Sequence, residues 1–177
     1  TGGAGFIGSH IIERLICLGE DVICIDNFKT SSLKNIQKWI SHPNFKLIKH
    51  NIVEPIDIKV NRIWHLACPA SPPHYKHDPI NTLDVSFNGS KNMLNLAKKY
   101  KSTILLASSS EIYGDGKDHP QIETYKGCVN TTSSRSCYVE GKRMKQIAIE
   151  FGFSSDKVAK TQKYRCLEAA KKNYQQK

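Results

Sequence analysis

The sequence predicts an α/β fold built on a doubly wound parallel sheet. Three observations predict it. Short apolar, β-branched runs alternate with stretches of helical apolar spacing, a glycine-rich turn opens the first of these stretches, and polar residues follow several of the strand-length runs. Ligands of such sheets collect at the carboxyl ends of the strands, so we expect a site there. A chain of 177 residues can bury one substantial core, which makes one domain the starting expectation.

The glycine-rich turn occupies the first eight residues, Thr1-Gly2-Gly3-Ala4-Gly5-Phe6-Ile7-Gly8. Glycine lets backbone amides approach a pyrophosphate, and the amides together with the helix N-terminus hold the anion. Glycine is also used in tight turns for local reasons, so the motif alone leaves both a dinucleotide site and an ordinary turn open. The residues that follow it therefore decide.

A helix predicted over 9–18 ends at Gly19, and a second strand is predicted over 21–25, ending in Asp26. An acid at this place accepts hydrogen bonds from both hydroxyls of an adenosine ribose and repels a 2′-phosphate. The cofactor predicted is NAD rather than NADP. The alternative for Asp26 is a solvated residue in a strand-to-loop turn.

The later elements are predicted from the same periodicities. Beyond Asp26 the strand-length runs are 45–48, 62–67 and 103–107, the last of them buried. The helical stretches are a polar one at 29–41 and two longer ones at 79–100 and 137–151. The segment 69–73 (Pro-Ala-Ser-Pro-Pro) is expected to be neither helix nor central strand, and 113–136 is predicted to be a long loop.

The formal charge of +10 is unevenly distributed. Residues 151–177 hold seven Lys or Arg and two acidic residues, a net +5, so the remaining body is only mildly basic, as suits a site for anionic nucleotides. A nucleic-acid interface would need basic residues interleaved with aromatics, and that pattern is missing. We expect a domain over 1–150 and a basic tail over 151–177, either a charged helix or disordered.

The cysteine pattern and the hydropathy bear on the compartment. Six cysteines are scattered without a C-x-x-C pair, which is typical of a reducing, cytoplasmic compartment. No apolar run is long enough to span a bilayer, so no membrane partner is expected.

Candidate catalytic residues lie at the end of the 103–107 run and in the last helix. Tyr138 and Lys142 stand at i and i+4 on one helical face, where a cation favours the phenolate and makes the phenol a usable base. Ser109, Ser110 and Glu111 follow the strand, where hydroxyls can bind a substrate oxygen and a carboxyl can move a proton. The alternatives are a solvated helix face for the first pair and strand-end capping for the serines.

A metal site is not predicted. His74 and His77 are three residues apart in a proline-rich loop, with His65 and Cys68 upstream, but further ligands at a suitable spacing are missing.

Five segments together resemble a known family. They are 1–8, Asp26-Asn27-Phe28, His65-Leu66-Ala67-Cys68-Pro69-Ala70-Ser71-Pro72-Pro73-His74-Tyr75, Ser109-Ser110-Glu111-Ile112-Tyr113-Gly114-Asp115 and 135–143 around Tyr138 and Lys142. In them the chain resembles the UDP-glucuronate decarboxylases (UDP-xylose synthases), extended short-chain dehydrogenases/reductases, from Thr1 to about Glu150. The proline-rich loop is the specific part of the resemblance.

The resemblance implies an NAD-dependent carboxy-lyase that converts UDP-glucuronate to UDP-xylose and CO₂ through a 4-keto sugar. It implies catalytic roles for Tyr138, Lys142, Ser109 and Glu111. Cofactor contacts would be Gly2, Gly5, Phe6, Ile7, Gly8, Asp26, Asn27, Phe28, Thr30, Asn51, Ile52, Leu66 and Lys142. Substrate contacts would be Ser110, Asn92 and Tyr75. Full-length relatives are expected to be homodimers.

The chain departs from the family pattern in several places. Asn51 stands where an acid is usual, Asp84 where a lysine is usual, and Val139 where an acid follows the catalytic tyrosine. The resemblance also implies a first strand before Thr1, at the centre of a partial Rossmann-like sheet, and a substrate-binding region after the resemblance stops. Both are expected to be missing, so the chain is predicted to be an N-terminal fragment. Two alternatives stay open: a truncated NAD-binding module without turnover, and a related nucleotide-sugar 4,6-dehydratase.

Overall fold

The computed structural model describes residues 1–114, 120, 122, 125, 127–133 and 135–150, with side chains through 144. The α-helices in this part of the chain are α1 (Phe6–Cys17), α2 (Pro72–His77), α3 (Pro79–Asp84), α4 (Ser90–Tyr100) and α5 (Ser136–Glu150). The strands are β1 (Val22–Asp26), β2 (Phe45–Lys49), β3 (Arg62–His65) and β4 (Thr103–Leu106). The basic tail predicted over 151–177 lies outside the described residues.

The strands form two parallel pairs, as the alternation of strands and helices predicts. β1 pairs with β2 from Val22 beside Phe45 to Asp26 beside Lys49. β3 pairs with β4 from Arg62 beside Thr103 to His65 beside Leu106. Parallel pairs require crossover connections: two 3₁₀ turns lie in the first, and α2, α3 and α4 lie in the second. The predicted α/β class is therefore confirmed.

The residues of the glycine-rich turn touch both pairs. The Gly2 amide donates to Ile25 O (2.9 Å), the Thr1 amine donates to Trp64 O (2.7 Å), and the Leu66 amide donates to Thr1 O (3.1 Å). Beyond Thr1 the pairs separate around a cavity of about 360 Å³, lined partly by apolar side chains of α1 and α4. This cavity lies where the family resemblance expects a central strand.

Helices cover both faces of β1. Cys24 packs with Ile12 and Ile16 of α1, whereas Ile25, on the opposite side of the strand, packs with Ile52 and Val85. Successive side chains of a strand point to opposite faces, so one strand contributes to two cores. This arrangement leaves the carboxyl end of β1, at Asp26, between the two layers.

The polar helix predicted over 29–41 is wrong. The structure has two 3₁₀ turns there, Leu33–Asn35 and Gln37–Trp39. The Ser32 hydroxyl accepts from the Lys34 amide (3.3 Å) and starts the first turn. Ile36, between the turns, is fully buried in the α1 core. Burying this one side chain, with little apolar surface on either side of it, favours short turns over a continuous helix.

The prediction that segment 69–73 contains no helix is wrong for its last two residues. α2 begins at Pro72, with prolines in its first turn. The first turn of a helix tolerates proline, since its amides have no intrahelical partner. The predicted helix over 79–100 is present but contains a π-helical turn over Val85–Gly89. There Gly89 lies so close to Ile52 that an added Cβ would be 2.5 Å from its Cδ1.

The strand predicted over 103–107 is only partly buried, whereas the sequence predicts a buried strand. Thr103 and Leu105 are exposed, while Ile104 packs against the core below β3. The long loop predicted over 113–136 is described in part: a 3₁₀ turn ends at Tyr113, and Gly114 bridges to Cys128. In the portion of the chain described, none of the helices combines the length and apolarity that a membrane crossing requires.

Candidate functional site

A cavity of about 100 Å³ opens at the carboxyl ends of β1, β2 and β3. It is lined by eight of the residues predicted to contact a cofactor: Gly2, Gly5, Asp26, Asn27, Thr30, Asn51, Ile52 and Leu66. These residues come from three different strand ends and from the glycine turn. The cavity therefore lies at the sheet edge where the sequence predicts a site.

The glycine turn has the geometry of an anion cradle. Gly2 has φ +71° and its Cα faces the backbone of Ala67, where an added Cβ would lie 2.7 Å from the amide nitrogen, so only glycine fits. α1 starts at Phe6, after Gly5, and no side chain caps its first amides. Uncapped amides at a helix start are donors for a bound anion.

The remaining residues of the motif have different surroundings. Phe6 and Ile7 are 79% and 63% exposed at the start of α1. Gly8 is buried, and a Cβ there would lie 2.3 Å from Gly2 O, so its lack of a side chain lets the helix pack on the turn. The structure gives Gly8 a packing role, while Phe6 and Ile7 are accessible to a ligand.

Asp26 is bound on both carboxylate oxygens. Oδ2 accepts from the Ala4 amide (2.9 Å), and Oδ1 accepts from the Phe28 amide (2.9 Å) and the Ser31 hydroxyl (2.8 Å). The side chain is 7% exposed, and Phe28 follows with φ +59°, a left-handed conformation that is unusual for an aromatic residue. A carboxylate has about four acceptor sites, and three of those of Asp26 are taken by internal donors. Asp26 can therefore accept from one ribose hydroxyl without displacing an internal donor, whereas the sequence predicts that it accepts from two.

The loop after β2 is fixed by Asn92. Its Nδ2 donates to Ile52 O and to Val53 O, both at 2.9 Å. The predicted substrate contact thus uses its amide nitrogen to hold the cavity wall formed by Asn51 and Ile52. Its Oδ1 is the atom with which it could receive a ligand.

Sequence reasoning missed several lining residues: Lys29, Ser31, Cys68, Pro69, Asn81 and Val85. Lys29 pairs with Asp78 Oδ2 (2.8 Å) at the start of α3. Of these residues, only Ser31 could have been predicted to line the site. It follows a strand that ends in an acid, and its hydroxyl is within reach of the Asp26 carboxylate. The others are brought in by tertiary packing.

The predicted catalytic groups are brought together at the end of β4. The Ser109 side chain lies near Tyr138 and lowers the pKa of its phenol. The Lys142 ammonium donates to Ala107 O (3.0 Å) and lies 5.5 Å from the centroid of the Tyr138 ring. Tyr138 is 6% and Lys142 4% exposed, so neither is on a solvated helix face. Ser109 also accepts from the Glu111 amide (3.3 Å), and Ser110 is exposed at the first position of the 3₁₀ turn.

The pKa of Tyr138 differs from the sequence-based expectation. Burial raises it, and the interaction with Ser109 offsets this in part; electrostatic interactions with Cys68, Glu111 and Tyr75 raise it further. Lys142 was expected to lower it, but the ammonium is engaged by the Ala107 carbonyl, and burial prevails over it. In the protein alone, the phenol is therefore protonated at neutral pH.

Tyr75 does not lie where a direct substrate contact would. Its ring is fully buried and stacks on that of Tyr138, with centroids 5.1 Å apart and planes 15° apart. Its hydroxyl accepts from Arg135 Nε (2.8 Å), and Arg135 Nη2 pairs with Glu111 Oε1 (2.9 Å). Tyr75 thus forms the support behind Tyr138.

Cys68 connects the cavity with the catalytic groups. It lines the cavity, and its Sγ lies 3.3 Å from Ser86 Oγ; a Cβ on Gly141 of α5 would in turn lie 2.7 Å from Ser86 Cβ. The two halves of the site therefore adjoin each other.

Two of the histidines considered for a metal site, His65 and His74, have protein partners. His65 is buried between the Thr1 hydroxyl (2.7 Å from Nδ1) and the Ser90 hydroxyl (3.1 Å from Nε2), and His74 Nδ1 lies 2.8 Å from Ser71 Oγ. Within the described ranges, no three His, Cys, Asp or Glu side chains are grouped as a metal site requires.

Comparison with known proteins gives consistent matches. The family profile for GDP-mannose 4,6 dehydratase matches residues 1–159. UDP-glucuronic acid decarboxylase 2 of Arabidopsis thaliana is 53% identical over 143 residues, which are 81% of this chain and 32% of that protein. The chain thus spans about a third of the length of this curated relative.

Solved structures of similar fold come from nucleotide-sugar enzymes. The UDP-N-acetylglucosamine 4-epimerase of Methanobrevibacter ruminantium, solved with UDP-N-acetylmuramic acid, superposes with a TM-score of 0.74 and 26% identity, over 84% of this chain and 47% of that one. The UDP-glucose 4-epimerase of Thermus thermophilus, solved with NAD, has a TM-score of 0.67 and 24% identity, over 85% and 48%. These likenesses agree with the Rossmann-like fold predicted.

Proposed function

The chain belongs to the GDP-mannose 4,6 dehydratase family, and from that premise we propose that it is part of an NAD-dependent UDP-glucuronate decarboxylase. The proposed reaction converts UDP-glucuronate to UDP-xylose and CO₂. The observation that carries it is the buried pair of Tyr138 and Lys142, whose ammonium lies 5.5 Å from the centroid of the Tyr138 ring, next to the cavity at the strand ends. The 53% identity to a curated UDP-glucuronic acid decarboxylase supports the choice of reaction within the family.

NAD is the proposed cofactor. The uncapped start of α1 fits a pyrophosphate, the open acceptor site of Asp26 fits one ribose hydroxyl, and its charge disfavours a 2′-phosphate. Lys142 would contact the nicotinamide ribose. When bound, NAD⁺ supplies the chemistry of accepting a hydride and returning it.

The chain's own residues have distinct roles in this proposal. Ser109 orients the sugar C4 hydroxyl, and Tyr138 takes its proton and later returns it. A ketone at C4 makes the substrate a β-keto acid, so the carboxylate leaves as CO₂ and the electron pair is held as an enolate. Glu111 assists protonation at the carbon that loses the carboxylate. Ser110, exposed at the same turn, would contact the sugar.

Two other functions remain as alternatives. The first is a module that binds NAD without turnover. A 4,6-dehydratase is less well supported. Those enzymes are expected to carry an Asp-Glu pair at the positions where this chain has Ser110 and Glu111.

The cellular setting belongs to the same proposal. We propose a cytoplasmic enzyme and lyase of nucleotide-sugar metabolism, which as a whole protein acts as a homodimer. The five cysteines within the described residues are free thiols, which supports a reducing compartment. The domain boundary at residue 150 stays a prediction.

A chimera tests the proposal. Residues 1–150 would replace the matching segment of the A. thaliana decarboxylase, and release of labelled CO₂ from carboxyl-labelled UDP-glucuronate would be measured with NAD⁺. We expect CO₂ and UDP-xylose, and loss of both with Tyr138→Phe. A chimera that binds NAD but releases no CO₂ would support the module without turnover, and activity that persists after Tyr138→Phe would refute the catalytic assignment.

A further inference from the structure

Arg135 connects the elements that carry the proposed catalytic groups, yet the proposed mechanism gives it no part. It lies one residue before α5. Its guanidinium pairs with Glu111, in the 3₁₀ turn after β4, and donates to the hydroxyl of Tyr75, in α2. One side chain therefore fastens two segments that are far apart in the sequence.

The second of these contacts reaches Tyr138 through the ring of Tyr75. The two rings stack at 5.1 Å, and Tyr75 is fully buried, so its orientation is fixed by its neighbours. The Tyr138 amide also donates to Arg135 O (3.0 Å). Arg135 thus holds Tyr138 at the helix start and, through Tyr75, at the face of its ring.

The contact with Glu111 is electrostatic as well as geometric. The charge of Glu111 acts on Tyr138, where it raises the pKa of the phenol. A guanidinium 2.9 Å from that carboxylate offsets its charge. The hydrogen bond to Tyr75 and the charge of Glu111 raise the pKa of Arg135, so the cation persists at any pH at which the protein is folded.

We propose that Arg135 is a positioning residue: it fixes Glu111 and Tyr75 around Tyr138 and compensates the carboxylate charge beside the phenol. It does not touch the reacting atoms. Its role in turnover rests on the proposed function, whereas its effect on the ionisation of Tyr138 does not.

The ionisation is measured on the 177-residue chain by ultraviolet titration of tyrosinate. The step of Tyr138 is the difference between each protein and the same protein with Tyr138→Phe. Arg135→Met leaves Glu111 uncompensated, so we expect the midpoint of Tyr138 to rise, and Glu111→Gln added to Arg135→Met should bring it back towards the parent value. The matched control is Arg143→Met, which removes an arginine of α5 that pairs with Glu140 (3.4 Å) and should leave the midpoint unchanged.

The direction in which Arg135→Met shifts the midpoint of Tyr138 distinguishes two roles of Arg135: compensating the charge of Glu111, or only keeping the Tyr138 ring buried. If Arg135 only kept the ring buried, Arg135→Met would expose Tyr138 and lower its midpoint towards the ordinary value of about 10. Either that fall or an unchanged midpoint overturns the proposal. Should circular dichroism show that Arg135→Met does not fold, Glu111→Gln alone provides the test, because it leaves the cation unpaired and should lower the midpoint; no change would overturn the proposal.

Turnover is measured in the chimera. We expect Arg135→Met to lower kcat at least tenfold with little change in KM, and to move the acid limb of the pH–rate profile upwards, while Arg143→Met does neither. Equal effects of the two variants overturn the role in turnover. If the parent chimera releases no CO₂ but the titration behaves as expected, the decarboxylase proposal fails and the positioning of Tyr138 stands.

Discussion

The Asp26 carboxylate accepts the backbone amide of Ala4 at 2.9 Å, which fastens the glycine turn to the end of β1. The acid expected to choose the cofactor is therefore also a structural bond between the two motifs that form the cavity. Its second oxygen holds the Phe28 amide and the Ser31 hydroxyl. The expected recognition of the cofactor and the stability of the fold therefore both depend on the Asp26 side chain.

Replacing this acid should therefore have two effects. Asp26→Ala should narrow the preference for NAD over NADP, measured by isothermal titration of the chain with each. It should also lower the free energy of unfolding by at least about 2 kcal/mol, because each buried donor left without its acceptor costs about 1–3 kcal/mol. Asp21→Ala, at an exposed acid just before β1, is the control and should change neither quantity. Equal affinities for the two cofactors in the parent would contradict the ribose assignment.

The sequence was sufficient to predict features that depend only on residues close together in the chain. The strand ends at Asp26 and Glu111 and the i, i+4 pair of Tyr138 and Lys142 were placed correctly, because strand direction and helical spacing determine them. Tyr75 could not be placed. Its burial against Tyr138 depends on how α2 and α5 pack, and no pattern in either segment encodes a stack between residues so far apart.

The same limit explains the pKa of Tyr138. Helical spacing predicts that Lys142 lies near the phenol, and it does, but spacing says nothing about the Ala107 carbonyl that engages the ammonium. Nor does it give the depth of burial, which decides the direction of the shift. Similarly, spacing does not give the close contacts made at the π turn Val85–Gly89, those of Gly89 with Ile52 and of Ser86 with Gly141, which join distant segments.

The gap between the two strand pairs leads to a second prediction. Thr1 and Gly2 already hydrogen-bond with both β1 and β3, so five β-branched residues joined before Thr1 should continue between these strands and fill the 360 Å³ cavity. Burying an apolar side chain contributes about 1.5–3 kcal/mol. We expect Tm by differential scanning calorimetry to rise by several degrees. An extension of five Gly and Ser residues is the control, and equal Tm values for the two extensions would contradict the prediction.

The contact between α5 and the π turn gives a third prediction. A Cβ at Gly141 would lie 2.7 Å from Ser86 Cβ, so Gly141→Ala must push α5 away from the helix that carries the cavity wall. Overpacking of this kind costs about 1–3 kcal/mol. Denaturant unfolding should report that loss. Ser86→Gly in the same protein should recover part of it, whereas Glu140→Ala on the same helix should cost less than about 1 kcal/mol, as the loss of a surface ion pair does.

The three adjacent serines after β4 give the last prediction, since their surroundings differ although their chemistry is the same. Ser109 is half-buried and lowers the pKa of Tyr138, whereas Ser108 and Ser110 are exposed, Ser110 at the start of the turn that carries Glu111. In the chimera, Ser109→Ala should lower kcat by about 10²-fold, as the loss of one donor to a developing charge does. Because Ser109 lowers the pKa of Tyr138, its loss should also shift the acid limb of the pH–rate profile upwards. Ser110→Ala should raise KM more than it lowers kcat, and Ser108→Ala, the matched control, should leave both near the parent values. Comparable losses in kcat for Ser108→Ala and Ser109→Ala would mean that the segment supports the strand end only, and that Ser109 has no specific part in moving the proton of the C4 hydroxyl.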